Sequence, residues 1–199
     1  KSKSIMSKEK IQNYLDLQVE SISALKNSSK TLIEIYDIII NARDKNMQIF
    51  VMGNGGSAST ASHFVSDLLK TSITNGNNRF KAMSLSDNIP VLLAWSNDVS
   101  YDTIFSSQLE NFLQKGDVVI GISGSGNSKN VLNAIEFANQ KQAVTIGLSG
   151  KGGGKLSELV KTNLTVESDD MLTIETMHLL ICHLITTLIR SDGTPKFSY

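Results

Sequence analysis

Five short apolar runs, each preceded or followed by a helical pattern, limit most strongly the folds that this chain can adopt. The runs have the length of strands and lie at 47–53, 80–86, 117–123, 143–149 and 162–168. Near-continuous apolar strands are typical of a sheet that is covered on both faces, and such sheets are parallel. The sequence therefore predicts an α/β fold with a five-stranded, doubly wound parallel sheet.

Helical periodicity fills the intervals between these runs. Apolar residues recur every three or four positions in helices predicted at 57–70, 88–96, 101–115, 128–141, 154–161 and 171–190. Two further helices, at 7–27 and 30–45, precede the first strand and have no strand partner. The sequence leaves open whether this N-terminal pair packs on its own sheet or on a neighbouring subunit.

Length and composition favour one domain without a long linker. The chain has 199 residues and two prolines, which suits a single core. We predict one domain over residues 1–199, divided into the helical pair (1–45), an α/β sandwich (46–190) and a C-terminal tail (191–199).

Charge and cysteine content limit the kinds of partner and the cellular compartment that we expect for this chain. Nineteen basic and nineteen acidic residues give zero net charge, whereas nucleic-acid and membrane-surface binders usually carry a basic excess. We therefore expect neither partner. No run approaches the ~20 apolar residues of a transmembrane helix, and the opening KSKSIMSKEK lacks the apolar core of a signal peptide. The one cysteine, Cys182, fits a reducing cytoplasm, where we expect the protein.

Glycine- and serine-rich segments follow the predicted strands at the edge where parallel sheets bind ligands. GNGGSAS (53–59) follows the first strand and SGSGNS (123–128) the third. Backbone N–H groups at a helix start, together with serine hydroxyls, can hold a phosphate without a basic side chain. Neither segment matches the ATP-binding P-loop or the dinucleotide pattern. Turns that merely require glycine are the alternative to a phosphate site.

Histidines and carboxylates on two helices are candidates for chemistry. His63 and Asp67 are four residues apart on the helix after the first loop, so they share one face and can reach one metal ion or one substrate. Glu175 and His183 lie on the last helix, about 80° and ~12 Å apart. His178 points elsewhere and is predicted to be a hydrogen-bonded core residue. A core position is also the alternative for the other two histidines.

The ordered set of motifs resembles the SIS (sugar isomerase) domain family, and within it the phosphoheptose isomerases. The motifs are GNGGSASTASHF, SND, GDVVIGISGSGNSKNV, GLSGKGGG, SDD and IETMHLLICHLI. The resemblance covers nearly the whole chain and implies an SIS-type, flavodoxin-like fold. It also implies isomerisation of sedoheptulose 7-phosphate to D-glycero-D-manno-heptose 7-phosphate through an enediol, a homotetramer with active sites at subunit interfaces, and one divalent metal ion, zinc, per subunit.

The resemblance also implies site residues, position by position. Asp67 and His183 would be the catalytic pair, and the metal ligands would be His63, Asp67, Glu175 and His183. The substrate-binding positions would be Asn54, Gly55, Gly56, Ser57, Asn97, Asp98, Ser123, Gly124, Ser125, Ser128 and Glu175.

Three positions depart from the family's pattern. Asp67 stands where the family has glutamate, Glu175 where it has glutamine, and Gly124 where it has threonine. Glu175 is interpreted either as a stronger metal ligand or as a carboxylate that supplies the reach lost at Asp67. Gly124 is expected to enlarge the pocket beside its loop.

The candidate residues are compatible with an aldose–ketose isomerisation, and two alternative functions remain open. Moving a carbonyl from C2 to C1 requires a base that takes a proton from C1 and returns it to C2, and a carboxylate with a histidine partner can do this. The rivals are an isomerase of another ketose phosphate, and a non-catalytic SIS protein that binds a phosphosugar or a protein partner such as a replication initiator.

Overall fold

A five-stranded parallel sheet with strand order β2-β1-β3-β4-β5 forms the centre of the molecule. The computed structural model describes residues 2–198, and side chains from Met6 onward. The strands are β1 (Gln48–Gly53), β2 (Lys81–Ser84), β3 (Val118–Ser123), β4 (Val144–Gly150) and β5 (Thr162–Val166). Every neighbouring pair is parallel. The predicted fold class is confirmed, and the strand order reverses between β1 and β3, which is where open sheets of this kind bind ligands.

Helices cover both faces of the sheet. They are α1 (Ser2–Leu25), α2 (Ser29–Asp44), α3 (Gly56–Ser66), α4 (Ile89–Asp98), α5 (Ser106–Phe112), α6 (Lys129–Gln140), α7 (Gly154–Leu159) and α8 (Met171–Ser191). Successive residues of β1 alternate between two buried clusters. Ile49 and Val51 join the cluster under α2, α3 and α8, while Phe50 and Met52 join the cluster under α5, α6 and α7. This two-sided burial explains why the strands are apolar at nearly every position.

The two N-terminal helices differ in how much of their apolar surface packs on their own chain. α2 packs on its own sheet, with Ile35 and Ile39 almost fully buried. α1 contacts α8 through a 2.7 Å hydrogen bond from Gln18 Nε2 to Thr173 Oγ1, yet it leaves an apolar stripe exposed. The stripe consists of Ile11, Leu15, Val19 and Ile22, which are 41–62% exposed.

α8 is the one helix among the described residues that is long and apolar enough to cross a membrane, with a mean hydropathy of 1.6. Half of its most apolar stretch is buried, with Ile181 and Ile185 in the core cluster. Asp170 caps the start of the helix, where its carboxylate accepts a 2.8 Å hydrogen bond from Thr173 N. Hydrogen bonding with the Thr173 side chain, and secondly with its backbone, lowers the pKa of Asp170. Cys182 is buried in the same core, and burial raises the pKa of its thiol.

Two predicted helices are interrupted in the structure. The segment predicted at 57–70 is α3 followed by a π turn over Asp67–Thr71, in which Ser72 N donates to Asp67 O, five residues back, at 2.8 Å. The segment predicted at 101–115 begins with a 3₁₀ turn, because Ser100 Oγ accepts a 3.0 Å hydrogen bond from Asp102 N and caps the turn. The other predicted elements correspond to observed ones, although several of their ends differ by a few residues.

Candidate active site

The loop between β1 and α3 requires glycine at two positions for different reasons. Gly55 has a φ of +53°, in the left-handed region that side chains rarely adopt. A Cβ at Gly53 would lie 2.7 Å from Ser57 Cβ, so only glycine allows Ser57 to pack there. Ser57 N donates to Asn54 O at 2.9 Å and closes the turn. The loop thus leads directly into the start of α3, as its sequence predicts.

Asn54 joins this loop to the element that follows the second serine-rich loop. Its Nδ2 donates to Asn130 Oδ1 at 2.9 Å, and Asn130 Nδ2 donates to Asn54 Oδ1 at 2.8 Å. Tyr101 also donates through its hydroxyl to Asn54 Oδ1, at 2.7 Å. Sequence reasoning missed both partners. Asn130 lies within the quoted motif GDVVIGISGSGNSKNV, but no pattern distinguishes Tyr101.

A cavity of about 170 Å³ opens at the carboxyl end of β1. Two of the predicted substrate-binding residues, Asn54 and Gly55, line it, together with Ser86, Ser96 and Tyr101. Ser86 Oγ donates to Gly53 O at 3.0 Å and fixes one wall. The cavity is therefore mixed in character, with backbone and hydroxyl groups on one side and side chains of α4 on the other.

The loop after β3 satisfies many of its own polar groups. Ser123 Oγ and Ser128 Oγ lie 3.0 Å apart, and Ser125 Oγ accepts a 3.2 Å hydrogen bond from Asn127 N. None of the three predicted serines is among the residues that line the cavity at Asn54. The loop of the serines is connected to the cavity through Asn130. This residue follows the loop at the start of α6 and bonds to Asn54.

The expectation that Gly124 enlarges a pocket is wrong. Gly124 is buried, and a Cβ there would meet the Met171 sulfur and lie 3.5 Å from Ile174 Cγ2. The absent side chain therefore lets the start of α8 pack against the loop, and the space is filled from within the chain.

Asn97 and Asp98 lie at the end of α4, outside the cavity. Asn97 Nδ2 donates to Asp98 Oδ1 at 2.7 Å, and both residues are exposed. Their neighbour Ser96 lines the cavity instead.

His63, Asp67 and His183 come together where α3 passes α8. The Nε2 atoms of the two histidines are 3.1 Å apart, and each lies 3.7 Å from Asp67 Oδ2. Asp67 is 8% exposed, whereas the two imidazoles are half exposed, at 48% and 51%. Asp67 Oδ2 is buried without a hydrogen-bond partner. Three of the predicted site residues thus converge on one point.

This donor set fits a cation. Of two neutral imidazole nitrogens that face each other, at most one carries a proton, and a carboxylate oxygen only accepts. A buried carboxylate oxygen without a donor is costly unless a proton or a cation compensates it. A point equidistant from the three atoms lies about 2.0 Å from each, a bond length typical of divalent transition metals. The group could therefore hold a metal ion.

Glu175 lies on α8 close to the start of α3. A Cβ at Gly56 would lie 2.5 Å from Glu175 Oε2, so the carboxylate rests against the first residue of α3. A negative charge at a helix N-terminus is favourable. The metal-binding group that the structure brings together contains His63, Asp67 and His183, and Glu175 is not part of it.

His178 is a core residue, as predicted. It is fully buried, and its Nε2 lies 3.0 Å from Ser149 O, so Nε2 carries the proton. Burial lowers the pKa of His178, and the hydrogen bond opposes this shift in part. The neutral imidazole is therefore the stable form.

Several known proteins are similar to this chain in sequence. The SIS domain family matches residues 13–150. The phosphoheptose isomerase of Helicobacter hepaticus is 35% identical over 182 residues, which are 92% of each chain. The probable phosphoheptose isomerase of Thermoplasma acidophilum is 39% identical, covering 79% of this chain and 86% of its own.

The fold agrees with a solved relative. The structure of a phosphoheptose isomerase from Francisella tularensis superposes with a TM-score of 0.87 at 26% identity, over 93% of this chain and 98% of that one. The chain belongs to the SIS domain family and, within it, to the phosphoheptose isomerases.

Proposed function

We propose that this protein converts sedoheptulose 7-phosphate into D-glycero-D-manno-heptose 7-phosphate through an enediol. The observation that carries the proposal is the buried, unpartnered Oδ2 of Asp67, which lies 3.7 Å from His183 Nε2. A base and a proton carrier at this spacing can act on neighbouring atoms of one substrate. The names of the relatives support the same reaction.

The proton transfers follow from this pair. The Asp67 carboxylate takes one proton from C1 of the ketose, and the C1–C2 bond becomes the double bond of the enediol. His183 donates a proton to the oxygen on C2 and accepts one from the oxygen on C1, so the carbonyl moves to C1. Asp67 then returns its proton to C2. No atom is gained or lost, as an isomerisation requires.

The phosphate would be held at the opposite end of α3. Gly56 and His63 are seven residues apart on this helix, about 10.5 Å along its axis. An extended heptulose 7-phosphate is roughly 10 Å long, at about 1.5 Å per bond. A phosphate near Asn54, Gly55, Gly56 and Ser57 would therefore leave C1 and C2 near Asp67. Ser123, Gly124, Ser125 and Ser128 would position the loop beside it.

We propose that the cation is Zn²⁺, one per subunit, and that His63 Nε2, His183 Nε2 and Asp67 Oδ2 would hold it. Asp67 Oδ1 and His183 Nδ1 would then carry out the proton transfers. Two imidazole nitrogens and a carboxylate are ligands that zinc prefers, and their spacing supports this assignment. The chemistry that zinc supplies when bound is polarisation of the substrate carbonyl. Glu175 would then face the sugar rather than the ion. Asn97 and Asp98 remain proposed substrate-binding residues, although they lie outside the cavity at Asn54.

We also propose a cytoplasmic homotetramer, built from one domain, with active sites between subunits. The exposed apolar stripe on α1 supports association, as do Ile89 and Leu93 on α4, which are 58% and 65% exposed. The proposed division keeps boundaries at 45 and 190, and residues 1 and 199 lie outside the described part of the chain. Light scattering should give four times the 21.7 kDa subunit mass.

Proton NMR with sedoheptulose 7-phosphate in heavy water tests the reaction, with and without added zinc and with a chelator. An aldose 7-phosphate, or deuterium entering the carbon next to the carbonyl, would establish it and show whether metal is needed. If the protein converted only a different ketose phosphate, that compound would replace sedoheptulose 7-phosphate as the assigned substrate. No exchange with any ketose phosphate would contradict catalysis and favour a binding protein.

A further inference from the structure

α3 with its π turn and α8 run side by side in the same direction. Three of the contacts between them join residues that are 119 or 120 positions apart in sequence. The pairs are Glu175 with Gly56, His183 with His63, and Arg190 with Thr71. The last contact lies outside the site described above, and it fixes how far the two elements can slide along each other.

Arg190 makes this contact with a forked side chain. Its Nη1 donates to Thr71 O at 2.7 Å, and its Nη2 donates to Phe197 O at 2.9 Å. Arg190 and His183 are seven residues apart on α8, so they share a face and lie about 10.5 Å from each other along the axis. One guanidinium thus connects the end of the π turn, α8 and the C-terminal segment.

The π turn needs such a partner because its carbonyls are left without the usual helical donors. Leu68 O accepts from Ser72 Oγ and Leu69 O accepts from Arg79 Nη2, each at 2.9 Å. Thr71 O accepts from Arg190. Cationic donors at the end of a helix are favourable, so the turn that begins at Asp67 is held by side chains from outside it.

The C-terminal segment, residues 192–198, adds a second tie to the same turn. Lys196 N donates to Ile73 O, and Asn75 N donates to Thr194 O, both at 2.9 Å. Lys70 Nζ lies 4.6 Å from the centre of the Phe197 ring. The segment therefore lies along residues 70–75 and presents the Phe197 carbonyl to Arg190.

We propose that Arg190 is a positioning residue for the active site. By tying the π turn to α8, it keeps the Asp67 carboxylate equidistant from the two imidazoles. A slip of one residue along a helix is 1.5 Å, a large fraction of the 3.7 Å that separates Asp67 Oδ2 from each Nε2. Aspartate has one methylene fewer than glutamate, so its side chain has little freedom to follow a backbone shift.

The test compares Arg190→Met and Arg190→Lys with the parent protein and with a control, Asn139→Ala. Asn139 also caps a main-chain carbonyl, that of Leu159, at 2.8 Å, but it does so on α6, on the other face of the sheet. Methionine keeps the apolar stem without a donor. Lysine keeps one donor for Thr71 O and loses the bridge to Phe197 O.

The first readout is the imidazole nitrogen NMR spectrum of the metal-free protein, which contains three histidines. Arg190→Met should shift the His63 and His183 resonances and leave those of His178 in place, while Arg190→Lys should shift them less. Unchanged His63 and His183 resonances in a folded Arg190→Met protein would overturn the proposal. If that variant does not fold, the same comparison is made with Arg190→Lys.

The second readout is zinc affinity together with kinetics, and its kinetic part rests on the proposed isomerase function. Arg190→Met should weaken zinc binding and lower kcat by about 10-fold or more, with KM for the phosphosugar within about 2-fold. Equal losses in Asn139→Ala would show a general stability effect and contradict positioning. A parent protein without isomerase activity would refute the proposed function, while the NMR comparison would still decide on Arg190.

Discussion

His183 Nε2 lies 3.1 Å from His63 Nε2, although the two residues are 120 positions apart in the sequence. The buried Oδ2 of Asp67 faces both nitrogens without a donor of its own. This concentration of lone pairs is stable only with a proton or a cation among them. The behaviour of the site should therefore depend on what fills that position.

Zinc affinity should distinguish the residues of this group from Glu175. His183→Gln removes one of three converging donors, so we expect affinity to fall by about 100-fold or more. Glu175→Gln should change it by less than about 3-fold, because Glu175 rests against Gly56. Competition with a chromophoric chelator measures both. Similar losses in the two variants would make Glu175 a ligand after all.

Replacing the proposed base should affect kcat far more than KM. Asp67→Asn keeps the shape of the side chain and removes its ability to accept the C1 proton, so kcat should fall by roughly 10²- to 10⁴-fold. The substitution leaves the proposed phosphate-binding residues 54–57 unchanged, so KM should stay within a few-fold. Asp37→Asn, on an exposed part of α2, is the control. Normal turnover by Asp67→Asn would remove this residue from the mechanism.

Burial of His178 should make the fold sensitive to acid. Since its folded-state pKa is lowered, the unfolded chain binds this proton first as the pH falls. The stabilisation is therefore complete above the unfolded pKa of about 6.5 and is lost below it, by at most about 1.4 kcal/mol per pH unit. Urea unfolding of metal-free protein at pH 7.5 and 5 should show a smaller loss for His178→Gln than for the parent. Parallel losses in the two proteins would contradict this explanation.

Gly124→Thr, which introduces the residue that the family has at this position, should destabilise the protein instead of improving the loop after β3. The new side chain would collide with Met171, and overpacking of this kind costs about 1–3 kcal/mol. The cost should shrink in a Met171→Ala background, as urea unfolding would show. Ser125→Thr, at the half-buried next position, is the control and should cost less. A cost that is independent of Met171 would require another cause.

Local patterns predicted the sheet well because burial on both faces leaves a strong signature. Ile49, Phe50, Val51 and Met52 face alternate cores, so all four are apolar. The shared face of His63 and Asp67 follows from helical spacing alone. The approach of His183 does not, because it depends on how α8 packs, and the family resemblance supplied it.

Other features have no local signature. The π turn at Asp67 accepts donors from Arg79 and Arg190, which lie 10 and 119 positions after the carbonyls that they bond. The role of Gly124 depends on a methionine 47 positions later. Glycine in a loop suggests open space when only the sequence is known, but here it marks close packing.

The pairing of α3 with α8 also determines when, during synthesis of the chain, the group of His63, Asp67 and His183 can form. The loop between β1 and α3 and four of the five strands precede residue 151, and the SIS match ends at residue 150. His183 comes only with the last helix. During synthesis from the N-terminus, a nascent chain can thus form the loop between β1 and α3 before the nitrogen that completes the group at Asp67 has left the ribosome, so this group assembles only after α8 has been made.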